Sequence, residues 1–197
     1  MEYFNERRIP GTVLLQVGDA KAFAQIEMLI SATGGLSLSQ VCAITGLEGS
    51  TIQNWVKRGW VANPRGKKYS EVHIARILII NALKECIKLE SIAQLMQYVN
   101  GATEDTADDI IKENVLFDYL CDALHVVEQA DDLSPNGVEA VVKRMIEQYE
   151  DTSEETRSRI CKSLAVMIYA CVCSDVKRRT EAMLAEIIPI GGAKAAR

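Results

Sequence analysis

The hydrophobic positions along this chain repeat at helical spacing almost throughout. Phe23, Ile26 and Ile30 form one stripe, and Gly34-Gly35 closes it. The pattern predicts a helix from a cap at Asp19 to about residue 32. Ser37 with Gln40 three residues on is a capping box, opening a short helix over 38–44 that Gly46 ends. Ser50 is read as the cap of a second short helix, 51–58, stopped by Gly59. Pro64 and Gly66 mark a turn or a small two-stranded ribbon over 60–69. Ser70 opens a strongly apolar helix over 71–87, and another short helix follows over 89–99.

The second half continues in the same manner. Residues 101–106 have the composition of a linker. Ile110, Ile111, Val115, Leu116, Tyr119, Leu120 and Leu124 predict a long helix over 106–129. Ser134-Pro135, a cap followed by proline at the first helical position, starts a helix to about 149. Ser153 with Thr156 starts a last helix to about 187, apolar all round over 164–173 and so expected at the centre of the core. The chain reads as all-α, about eight helices, without internal repeat or low-complexity tract. We divide it into an N-terminal segment with one helix (1–35), a unit of short helices (36–101) and an acidic, then basic, helical module (102–197).

Composition places the chain among folded globular proteins: of 197 residues, 48% are hydrophobic and 25% charged. No apolar stretch of signal-peptide length follows Arg7-Arg8, and the ten apolar residues 164–173 fall short of the roughly 20 a membrane span needs. The expectation is a cytoplasmic protein with no membrane partner. Its six cysteines are then reduced thiols, read as small buried hydrophobes rather than redox or metal groups. Cys171 and Cys173, two apart on a helix, point to different faces.

The net charge of -5 would disfavour bulk attraction to nucleic acid. Its distribution changes that picture. Residues 49–70 carry five basic side chains (Lys57, Arg58, Arg65, Lys67, Lys68) and no acidic one. Residues 102–156 carry 3 basic and 16 acidic side chains, a net of -13. A compact cationic island thus precedes an acidic block, which suggests separate tasks for the two.

The island lies beside two short helices joined at a glycine-containing turn, the helix-turn-helix arrangement. Val41, Ile44, Leu47, Ile52 and Trp55 would hold the pair together. Ser50, Thr51, Gln53, Asn54 and Lys57 would then face outward near the start of the second helix, the end that meets base edges in such motifs. Gln and Asn suit bidentate readout of adenine, and Lys suits guanine or phosphate.

These residues carry a family resemblance. Residues 37–47 (Ser-Leu-Ser-Gln-Val-Cys-Ala-Ile-Thr-Gly-Leu), 51–61 (Thr-Ile-Gln-Asn-Trp-Val-Lys-Arg-Gly-Trp-Val), Pro64-Arg65 and Lys67-Lys68-Tyr69 resemble the MerR-type winged helix-turn-helix. Ile9-Pro10, residues 53–59 and residues 67–73 resemble more closely the bacterial domain-of-unknown-function family number 1836, itself similar to MerR proteins. The resemblance covers about residues 9–101. MerR proteins usually carry arginine where Gln53 and Lys67 stand, and Tyr or Phe where Trp55 stands. Residues 102–197 resemble neither their dimerising helix nor their effector pocket.

The resemblance implies a transcriptional regulator that binds double-stranded DNA. Gln53, Asn54 and Lys57 would read bases, and Ser50, Thr51, Arg58, Arg65, Lys67 and Lys68 would hold phosphates. Trp55, Trp60 and Tyr69 would support the wing. Residues 102–197 would contact a second copy or another protein, and in one variant their acidic surface folds back on the cationic island. The competing reading is a helical protein-interaction module that keeps the helix-turn-helix fold without binding DNA. For catalysis, Asp122 and His125 share a helical face, and carboxylates recur four residues apart at Glu104/Asp108, Asp105/Asp109, Asp109/Glu113 and Asp118/Asp122. With one histidine there, they fit a solvated surface better than a di-metal site. Glycine-rich phosphate loops, G-x-S-x-G and H-E-x-x-H motifs are all missing from the sequence. We therefore expect no enzyme, no metal and no cofactor.

Overall fold

The computed structural model describes residues 8–16, 18, 20–101, 103, 109–147, 149 and 153–188. Among them are eight helices and no strand: α1 (Ala22–Thr33), α2 (Leu38–Thr45), α3 (Gly49–Lys57), α4 (Glu71–Leu83), α5 (Leu89–Asn100), α6 (Glu113–Ala130), α7 (Pro135–Ile146) and α8 (Glu154–Ile187). No helix among the described residues is long and apolar enough to cross a membrane.

Several ends follow the local signals. Ser37 and Gln40 form the capping box, with the Ser37 N–H donating to Gln40 Oε1 at 2.9 Å. Ser134 caps α7 and Ser153 caps α8. The Ser70 N–H donates to His73 Nδ1 at 3.1 Å, so an imidazole completes the box that opens α4.

Other ends depend on distant residues. Asp19 lies outside the described residues, and Lys21, at the N-terminal boundary of α1, provides no side-chain cap. Asp118 of α6 supplies it instead, accepting the Phe23 N–H at 2.8 Å. Helix α6 begins at Glu113, later than the apolar spacing predicts. The side chain of Asn100, buried at the end of α5, bonds both the C=O (2.7 Å) and the N–H (3.3 Å) of Ile111. That backbone is held by α5 rather than by a helix of its own.

The core centres on α4 and α8. Ile74, Ile77, Leu78, Ile79, Ile80 and Leu83 of α4 are buried, a near-continuous apolar surface that needs partners on several sides. Helix α4 packs against α1, α2, α5, α6 and α8, and α8 also meets α5, α6 and α7. One apolar core therefore runs from Ile9 to Ala170, across the division at 101. Residues 164–173 do sit in this core, but not on every side, since Val166 and Tyr169 are exposed.

One charged pair is enclosed in it. Arg76 Nε donates to Glu113 Oε2 at 2.8 Å, and Arg76 Nη2 meets Glu113 Oε1. Burial pushes the Glu113 carboxyl above its ordinary range, against the pull of Arg76 and of Asn100.

Candidate nucleic-acid interface

Helix α3 has two unlike faces. Ile52 and Trp55 are buried against α2 and the core, while Ser50, Gln53, Asn54 and Lys57 are exposed and Thr51 is half-buried. The spacing of Ile52 and Trp55 forces this, because residues three apart share a helical face and the intervening pair must point elsewhere. Ser50 is not the cap. The helix starts one residue earlier at Gly49, with Glu48 at the boundary, and Ser50 sits in the first turn. Gly49 permits close packing: a Cβ there would come within 3.2 Å of Leu38 Cδ2 and 3.7 Å of Cys42 Sγ.

Of the turn or small ribbon expected over 60–69, the described residues show a tight turn without strands. Lys68 N–H donates to Arg65 C=O at 3.1 Å, and Gly66 and Lys67 both have positive φ, 59° and 60°. Two successive positive φ values are the signature of the hairpin turn that matches strand twist. The next residue pairs elsewhere. Tyr69 exchanges two backbone bonds with Leu36 (2.8 and 2.9 Å), which pins the turn beside the start of α2. Tyr69 is buried and edge-on to His73, and burial pushes its hydroxyl above the ordinary phenol range.

The five cations of the island divide into two groups. Lys57, Arg65 and Lys67 are exposed and, among the described residues, have no ion-pair partner. Arg58 stacks over the half-buried Trp60 at 5.0 Å and pairs with Glu90 of α5 at 3.4 Å. Such an exposed pair is worth about 0–1 kcal/mol, so a phosphate could displace it. Its acidic partner lies outside residues 102–156. Lys68 turns back, its Nζ donating to the Thr33 C=O at 3.3 Å and the Gly35 C=O at 3.1 Å. These carbonyls lie at the negative end of α1, where a cation is favoured.

The pairing of Lys68 with α1 had no sequence signal, since Thr33 and Gly35 offer only backbone atoms. Arg76 had one, a lone cation within an apolar run. Of the carboxylates at helical spacing, Glu104, Asp105 and Asp108 lie outside the described residues. Asp118 caps α1, Glu113 pairs with Arg76, and His125 contacts Gln129 at 2.9 Å. No group of three His, Cys, Asp or Glu suited to a metal occurs among the described residues.

Residues 28–120 match the model of a domain of unknown function, DUF1836. The matched stretch runs from within α1 into α6 and so includes the interface, the Arg76–Glu113 pair and Asp118. The chain is also similar to the uncharacterized protein YkrK of Bacillus subtilis (strain 168), 24% identical over 172 residues, covering 82% of this chain and 74% of that protein. No solved structure matches the chain.

Proposed function

We propose that this chain is a DNA-binding transcriptional regulator whose α2–α3 pair and 65–68 turn work as a MerR-like winged helix-turn-helix. The observation that carries the reading is the outer face of α3. It presents two amides and a lysine (Gln53, Asn54, Lys57) beside exposed Arg65 and Lys67, while its inner face is anchored by Trp55. Gln53 and Asn54 match the edge of adenine, and Lys57 matches guanine or phosphate. Ser50, Thr51, Arg58, Arg65 and Lys67 hold phosphates, and binding weakens with salt by a log–log slope of about -0.9 for each phosphate neutralised. Lys68 supports the turn.

The test is an electrophoretic shift with genomic fragments at low and high salt, comparing wild type with Gln53→Ala/Asn54→Ala and with Lys67→Glu. Salt-sensitive binding that both variants weaken is expected. Absence of any salt-sensitive shift by the folded wild type would overturn the reading.

A partner-binding role for residues 102–197 is favoured by the free end of α8. Val176, Met183, Leu184 and Ile187 are exposed there on a stripe that Thr180 interrupts. We propose that this stripe meets a second copy of the chain; in such a dimer, half-sites would lie about 34–36 Å apart. Light scattering on the eluting protein reads the mass, and a monomer at all accessible concentrations counts against the dimer.

A further inference from the structure

Four of the six cysteines converge where α4, α6 and α8 meet. Cys121 and Cys171 belong to the packing: burial pushes both thiols up, Cys171 to about 12. Cys86 and Cys173 differ from them and from the expectation of small buried hydrophobes. Both are exposed, and their thiols lie within hydrogen-bonding reach of each other.

Their approach is fixed from both sides. The Cys86 N–H donates to the Leu83 C=O at 3.0 Å, closing the turn after α4. Glu85, next to it, accepts from Lys177 Nζ at 3.4 Å. Lys177 lies four residues after Cys173, on the same face of α8. Helices α4 and α8 are themselves packed together. The pair is thus held by a core contact, an ion pair and a backbone turn, independently of any bond between the sulfurs.

We propose that Cys86 and Cys173 form a reversible disulfide, made by exchange with a small-molecule disulfide, that fastens the turn after α4 to α8. The Cys173 thiolate attacks one sulfur of glutathione disulfide, breaking the small S–S bond and releasing one glutathione thiolate. Cys86 then gives its proton to water and attacks the Cys173 sulfur. The second glutathione leaves as thiolate, and the Cys86–Cys173 bond remains. Two protein thiols are oxidised and one small disulfide is reduced to two thiols. The order of attack follows from the contact. The hydrogen bond to Cys173 and burial both push the Cys86 thiol up, which disfavours Cys86 as the first nucleophile. A thiolate is the attacking species in such exchange.

The full-length chain, freed of reductant, is incubated with glutathione disulfide. Free thiols should fall from six to four, and the intact mass should drop by two hydrogens in a species that migrates as a single chain. Peptide mapping should join Cys86 to Cys173, and dithiothreitol should restore all six thiols. Cys86→Ser should instead accumulate one glutathione on Cys173, while Cys42→Ser should still lose two thiols. Six thiols persisting in wild type, a bond mapped to another pair, crosslinks only between chains, or the same two-hydrogen loss in Cys86→Ser would each overturn the proposal.

Discussion

The α2–α3 unit and the α4–α6–α8 core use their helices in opposite ways. Helix α4 buries eight of its 13 residues, and α3 buries two of nine. A residue of α4 is constrained by neighbours on nearly every side, whereas α3 is seated by Ile52 and Trp55 and leaves the rest to solvent. Stability and the proposed DNA recognition would therefore rest on separate residues, and substitutions should divide accordingly.

The largest expected effect lies in the core. Glu113→Gln leaves Arg76 as an uncompensated buried cation, and breaking a buried pair from one side costs about 3–5 kcal/mol. Denaturant unfolding measures it. Replacing both partners, Arg76→Met with Glu113→Leu, should recover most of the loss, because apolar groups of similar size need no counter-charge. The pair also carries a pH signature. Burial holds the Glu113 proton in the folded chain above the ordinary 4.5, whereas the unfolded chain releases it there. Its contribution to stability is thus full below that value and falls as pH rises through the raised one. Glu113→Gln should lack this slope; an unchanged slope would assign it to other carboxyls.

On the α3 side the expected effects reverse. Gln53→Ala/Asn54→Ala should leave unfolding within about 0.5 kcal/mol of wild type, as exposed substitutions do. DNA affinity should fall by about 1–3 kcal/mol for each bidentate bond to a base that the substitutions remove. A double variant that unfolds easily would show that the outer face of α3 is not energetically separate from the core.

Asp118→Ala tests how the core is joined to α1. Removal of a helix cap costs about 0.5–2 kcal/mol, here at α1, since Asp118 reaches Phe23 from α6. Thermal unfolding reads the loss, and no change would mean that water replaces the carboxylate at no cost.

What could be read from the chain, and what could not, follows the distance between partners. The starts of α2, α4, α7 and α8 were legible because Ser37, Ser70, Ser134 and Ser153 each act on backbone or side chains three residues away. The exposed face of α3 was legible because Ile52 and Trp55 share one helical side. Asp118 reaches α1 across 95 residues, Glu113 reaches Arg76 across 37, and Tyr69 bonds Leu36 across 33. None of these pairings leaves a periodic trace. The late start of α6 has the same origin, in Asn100 holding Ile111. The island of five cations was visible as composition, but its division into outward-facing and inward-tied members was not, because carbonyl acceptors have no sequence signature.

Lys68 therefore gives the smallest and sharpest test of the comparison, since it lies in the cationic island yet serves as a tie of the fold. Its Nζ ties the 65–68 turn to the C-terminal carbonyls of α1, and a cation in that position is worth about 0.3–1 kcal/mol. Lys68→Met keeps the aliphatic stem and removes the charge. Unfolding should become easier by no more than that amount. The salt dependence of DNA binding should keep its slope, because every cation proposed to meet a phosphate is still in place. Lys67→Met should do the reverse, leaving stability unchanged and reducing the slope by about 1. Measuring both quantities on both variants separates strut from phosphate ligand. If Lys68→Met reduced the slope as Lys67→Met does, Lys68 would leave α1 to meet phosphate, and the turn would be held by the Tyr69–Leu36 bonds without it.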